Sequence, residues 1–171
     1  METGRLLEAV YPSISITPLG HRLGLLYESL PYVTPRLRLS YLLFTLPTAP
    51  IAIGLYLWLK ARGVRYVATT EGISVENVIT GRRLANIPWQ DVAAIRIDAA
   101  SHSPFYRSTD VVIDTRTQAE ALRLPGVPWA ERFTHLLNSA HQAASATRLA
   151  QQRISERSLA RAALAAVPPQ A

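Results

Sequence analysis

Between Arg38 and Lys60 the chain runs without a charge, as LSYLLFTLPTAPIAIGLYLWL. These roughly 21 residues, at 1.5 Å of rise each, make about 31 Å of helix, close to the ~30 Å hydrocarbon thickness of a bilayer. With its basic flank, the run predicts a transmembrane segment over residues 39–63. Pro47 and Pro50 stand against it, because a proline inside a soluble helix costs about 3 kcal/mol. About ten Leu, Ile and Phe supply several kcal/mol of insertion energy, and membrane helices tolerate proline better than soluble ones. The expectation is one kinked span. The other readings are a core segment broken at residues 47–50 and a re-entrant hairpin, whose halves of about ten residues fall short of the ~20 needed to cross.

A chain of 171 residues holds one modest domain besides such an anchor. The four parts expected are an N-terminal loop with a short amphipathic helix (1–38), the span (39–63), a folded domain (64–146) and a basic helical tail (147–171). The chain has no cysteine, which excludes disulfides, thiolate nucleophiles and cysteine metal sites and fits a reducing compartment. Its net charge of +6 is dispersed rather than blocked, which disfavours a soluble nucleic-acid-binding protein. The apolar run is followed by Lys60 rather than a small-residue cleavage site, so it reads as an anchor and not a secretory signal.

Residues 1–15 show no clear period and read as loop. Thr17-Pro18 then has the form of an N-cap with proline at the first helical position, and Leu19, Leu23, Leu26 and Leu30 share one face of a short helix. Gly20 and Gly24 lie four apart but outside an apolar 20-mer, where such spacing says little. Pro35 and Arg36 lead into the span, with Tyr41, Tyr56 and Trp58 near its ends, where aromatic rings favour the headgroup level. Lys60, Arg62 and Arg65 slightly outweigh Arg36 and Arg38. The positive-inside rule thus gives a single-pass cell-membrane protein with a cytoplasmic C-terminal domain.

After Gly63 the pattern alternates and the residues become β-branched and aromatic. Strands are expected at 64–70, 73–78, 84–87, 92–98, 110–114 and 121–124, joined by turns at Glu71-Gly72, Thr80-Gly81-Arg82-Arg83 and 115–118. Residues 101–108 read as a polar loop that exposes Phe105 and Tyr106. A helix opens at Trp129, and Phe133, Leu136, Leu137, Ala140 and Ala144 form a stripe that should close the open end of the sheet. Past Thr147 the apolar residues lose register while Arg153, Arg157 and Arg161 share a face. That part reads as a solvated helical extension ending before Pro168-Pro169.

Two stretches carry more specific wording. Residues 65–73, RYVATTEGI, and 83–95, RLANIPWQDVAAI, resemble the bacterial pleckstrin-homology-like (PH-like) domains of small membrane proteins. In those families a strand ending in Thr precedes a second strand carrying Gly-Ile, and an Ile-Pro-x-x-Asp turn leads into an apolar strand. The resemblance covers residues 39–145 and departs from the usual pattern in having one span where two are common. It implies an α+β fold, with a transmembrane helix followed by an antiparallel PH-like sheet or barrel capped by a long C-terminal helix. It implies little chemistry, since fold does not establish function.

The search for chemistry agrees. His135 and His141, six apart, fall on different faces of a helix and cannot share a metal as an i, i+4 pair does. Asp91, Asp98, Asp110 and Asp114 read as separate turn or strand-end residues. Trp89 and Trp129 each follow a proline at an element start and read as core or rim anchors. No metal site, cofactor or catalytic residue is expected. The enzyme alternative is a site in the 101–110 loop around His102, Tyr106 and Asp110. The preferred reading is a non-enzymatic interaction or scaffolding module whose partner is a protein or an anionic lipid surface. Lys60, Arg62, Arg65, Arg82 and Arg83 are its candidate binding residues, because each basic residue near an anionic leaflet contributes on the order of 1 kcal/mol.

Overall fold

The computed structural model of the chain describes residues 4–34 and 37–165. Pro35, Arg36 and the expected stop before Pro168-Pro169 lie outside the described residues, as do the side chains of Arg38 and Tyr41. In order, the elements are β1 (Leu6–Val10), a 3-10 turn (Ile14–Ile16), α1 (Pro18–Glu28), β2 (Tyr32–Thr34), β3 (Leu37–Arg38), α2 (Leu39–Arg62), β4 (Val64–Thr69), β5 (Gly72–Asn77), β6 (Arg83–Pro88), β7 (Val92–Ser103), β8 (Ser108–Thr115), β9 (Leu122–Pro128) and α3 (Ala130–Ala165).

Alternation in the sequence becomes the pleat of two main antiparallel sheets, β1-β4-β5-β6 and β7-β8-β9, with β2-β3 a separate small ribbon. Tyr66 and Ala68 on β4, Ile73 on β5 and Ile87 on β6 share one core with Val111 and Ile113 on β8 and Leu124 and Val127 on β9. Phe133 and Leu137 of α3 complete that core, and Leu136, Ala140 and Ala144 pack against it. The stripe therefore closes the sheets as its spacing predicts. Trp89 is buried, and its indole N–H donates to the Thr69 carbonyl at 3.0 Å. Trp129 is not a core anchor: it stands 58% exposed at φ +53°, beside the Arg107 guanidinium 5.2 Å away.

α1 begins as its cap predicts, with the Thr17 hydroxyl accepting the Gly20 N–H at 3.0 Å and Pro18 in the first turn. Of the leucine stripe, Leu23 is buried together with Gly20, Gly24 and Tyr27, Leu26 and Leu30 are half-buried and Leu19 is exposed. Close approach decides this, since a Cβ on Gly24 would lie 2.9 Å from the Tyr106 ring. The expected 101–108 loop shrinks to a turn over 104–107, because β7 continues to Ser103. Phe105 and Tyr106 are half-buried rather than displayed. Phe105 stacks on Tyr27 at 4.6 Å between centroids, and the Tyr106 hydroxyl donates to the Gly20 carbonyl at 2.8 Å.

α2 runs unbroken through Pro47 and Pro50, so neither a break nor a re-entrant turn forms there. Its residues Leu43–Arg62 are long and apolar enough to cross a membrane. The expected N-terminal loop, however, contains β1, which pairs with β4 as Glu8↔Ala68, Ala9↔Val67 and Val10↔Tyr66. These strands flank the α1–α2 segment in sequence, so both its ends return to one sheet. α1, at 11 residues and about 16 Å, is too short to cross back. A crossing by α2 would therefore need residues 11–38 as a whole, not α1 alone, to return through the same bilayer for β1 to reach β4. Past Thr147, α3 continues without a break, and residues 151–159 are all exposed.

One contact joins the two main sheets directly. The Tyr66 hydroxyl donates to the Pro125 carbonyl at 2.8 Å, and burial pushes the phenol well above its ordinary value. The folded chain then keeps a proton that the unfolded chain releases above the ordinary phenol value of 10.0. Stability is full below that pH and falls as pH rises toward the folded value. Tyr66→Phe should cost about 1 kcal/mol at pH 7 and flatten the loss of stability above pH 10, as urea denaturation at both pH values would read. An unchanged alkaline slope would place its cause elsewhere.

Candidate functional site

Five cations singled out in the sequence gather at one end of the four-stranded sheet, around the C-terminus of α2. Lys60 and Arg62 lie in the last turn of that helix. Gly63 ends it, and the Gly63 carbonyl accepts the Val78 N–H at 3.1 Å, which brings the β5–β6 turn alongside. Asn77 shapes this turn, its side-chain oxygen accepting from the Ile79 N–H and the Thr80 N–H, each at 3.0 Å. Gly81, at φ +63°, supplies the left-handed residue the turn needs. The tip then presents Ile79, 65% exposed, next to Arg82 and Arg83.

Strand register sets the rest. Arg65 on β4 opposes Glu76 on β5, which opposes Arg83 on β6. The Glu76 carboxylate accepts from Arg65 Nε at 3.2 Å and Nη2 at 3.0 Å through one oxygen. Its other oxygen lies 3.5 Å from Arg83 Nε and accepts from the Ser74 hydroxyl at 3.3 Å. The hydrogen bond that Arg65 donates to Glu76 is the chief reason its guanidinium is held above its ordinary value. Lys60 Nζ sits 5.6 Å over the Tyr11 ring and 5.7 Å from that of Tyr56, within cation–π range. The cluster therefore combines five cations with one carboxylate, and Lys60, Arg62 and Arg82 have no ion pair among the described residues.

The alternative constellation does not assemble. His102 Nδ1 is 3.0 Å from the Thr109 hydroxyl, not from a carboxylate. The Asp110 carboxylate accepts from Arg123 Nε at 2.8 Å and from the Gly126 N–H at 2.9 Å. Burial pushes the Tyr106 phenol up to about 12 while its hydroxyl is engaged with Gly20. His102 and Asp110 do line a cavity of about 530 Å³ against His21 and Glu28 of α1. Glu28, however, is taken by the Phe105 N–H at 2.8 Å. Among the described residues, no group of three or more His, Asp or Glu could hold a metal ion.

Sequence reasoning missed a second charge ladder on the outer face of β7-β8-β9. Arg123 bridges Asp98 and Asp110, and Arg96 bridges Asp114 at 3.1 Å and Glu120 at 2.8 Å. Three of the four aspartates read as separate, Asp98, Asp110 and Asp114, are thus tied by two arginines. The signal was Arg96 and Asp98 two apart in a strand, hence on one face. The Glu120 N–H and then Arg96 hold the Asp114 carboxyl below its ordinary value. The part of stability Asp114 carries is present above its unfolded pKa and lost as pH falls through the folded one.

The model of a family described as a bacterial PH domain matches residues 17–141. The chain belongs to the bacterial PH domain family. The match takes in α1 and α2 as well as the sheets, and leaves β1 ahead of it. No curated protein matches the chain. The antiparallel sheets and the long closing helix that the resemblance implied are those of this bacterial PH domain, and such domains are typically binding modules.

The ladders make opposite demands on this bacterial PH domain. Glu76→Gln leaves two adjacent guanidinium groups without their shared anion and should cost roughly 1–2 kcal/mol, given that both arginines are partly exposed. Glu120→Gln, at a 52% exposed partner, should cost under about 0.5 kcal/mol. Urea midpoints of the two variants check the ranking, and equal costs would contradict it.

Proposed function

We propose that this bacterial PH domain is a membrane-seated, non-catalytic interaction or scaffolding module at the cytoplasmic face of the cell membrane. α2 provides the apolar anchor, and Lys60, Arg62, Arg65, Arg82 and Arg83 meet anionic lipid headgroups. The observation that carries this reading is their convergence at the end of the apolar helix α2, beside the exposed Ile79. A basic cluster at the edge of an apolar segment combines hydrophobic partition with attraction to an anionic leaflet. The half of α3 left in solvent, with Arg153 and Arg157 exposed, is the surface available to a protein partner. Separate engagement of His102, Tyr106 and Asp110 speaks against the enzyme alternative, and the position of the basic residues beside an apolar helix speaks against a soluble nucleic-acid binder.

The test is co-flotation of the purified protein with phosphatidylserine-containing and pure phosphatidylcholine vesicles. Arg62→Gln/Arg82→Gln should weaken binding to the anionic vesicles by up to about 30-fold, two charges at on the order of 1 kcal/mol each. It should leave binding to the neutral vesicles unchanged. Equal loss on both, or no loss on either, would remove the headgroup role.

A further inference from the structure

We propose that α2 lies along one leaflet, its outer face in the acyl region and the folded domain seated on its back, instead of crossing the bilayer. The inference rests on the membrane seating proposed above and assigns its geometry. The surface is an interaction face for an anionic lipid leaflet, made of Leu43, Leu46, Ile53 and Leu57 and bounded by Lys60 and Arg62.

Four observations carry it. Strands β1 and β4, which pair in one sheet, enclose the α1–α2 segment, so the chain enters and leaves that segment on the same side. The domain also packs along α2 instead of standing at its end. The Thr48 hydroxyl lies 2.6 Å from the Tyr27 hydroxyl, and Ala49 and Ala52 share a groove of about 300 Å³ with Leu23, Phe105 and Tyr106. Thr48 is about 18 Å along the helix from Lys60. An upright α2 would therefore draw α1, with His21, Arg22 and Glu28, into hydrocarbon, where ionisable groups are costly.

The two faces of the helix are unlike. Phe44, Thr48, Ala52, Leu55 and Leu59, at i, i+4, i+8, i+11 and i+15, are half-buried against the protein. Leu43, Leu46 and Leu57 on the opposite side are 56, 85 and 57% exposed, and Ile53, at the outer margin of the groove, is 58% exposed. An interfacial helix normally carries its own polar face; here the folded domain takes that place, which lets α2 be apolar all round. Lying flat also keeps the charged end of the helix, Lys60 with Arg62 in its last turn, at headgroup level.

Because the chain has no cysteine, single cysteines can be introduced without background. Nitroxide labels at positions 46, 48, 52, 53, 55, 57 and 59 of the full chain, bound to phosphatidylserine-containing vesicles, report depth by collision with oxygen and with a water-soluble nickel chelate. The expected profile follows the helical period. Oxygen-to-nickel ratios at Leu46, Ile53 and Leu57 should be several-fold above those at Thr48, Ala52 and Leu59, which the protein covers. A ratio that rises smoothly to one maximum near mid-helix on every face would overturn the flat seat while leaving membrane seating in place. Free nickel access at Leu46, Ile53 and Leu57 alike would sink the membrane reading itself.

Discussion

The pairing of β1 with β4 is the contact on which the rest of this structure depends. It ties residues 6–10 to residues 64–69 across a helical insertion, so that the apolar helix belongs inside the domain rather than ahead of it. Without that pairing, α2 would be a tether of free orientation. With it, the helix has two anchored ends and a fixed side, and its half-buried stripe becomes part of the domain's packing. Loop closure over so long an insertion costs only a slowly growing entropy, which the ladder and the contacts of α1 with α2 offset.

Charge is distributed with the same economy of position. The register of β4, β5 and β6 stacks Arg65, Glu76 and Arg83 in one row, and the turn after β5 returns beside the end of α2. Glu76 keeps this end foldable by separating two arginines, yet leaves the cluster cationic. On the second sheet the balance is reversed, with two arginines tied to four carboxylates. The molecule thus has a basic end at the apolar helix and an acidic outer face elsewhere, the polarity that the proposed seat on an anionic surface would use.

Much of this was legible in the residues. Period-two alternation located β4, β5 and β8, the Thr17-Pro18 cap placed α1, and the spacing of Phe133, Leu137 and Ala140 identified the closing face of α3. What failed did so for physical reasons. β1 reads LLEAV, an edge strand without alternation, and its partner is too distant in sequence for any local pattern to show. The face of α1 is set by Leu23 together with glycines that admit Tyr106 and the backbone, and Leu19 falls outside it. Phe105 and Tyr106 looked exposed because their cover, α1, comes from the other end of the chain. Of the candidate site, all five cations were named from sequence. Their neutralisation by Glu76 was hidden because cross-strand register is a property of the folded sheet.

The central claim, that the helical insertion returns to the side it left, is tested most directly by sidedness. Single cysteines at Glu8 in β1 and Ser155 in α3 would be probed with a membrane-impermeant maleimide, in intact cells and after lysis. The account predicts that both are protected in intact cells and both react after lysis. Reaction of one in intact cells with protection of the other would contradict it.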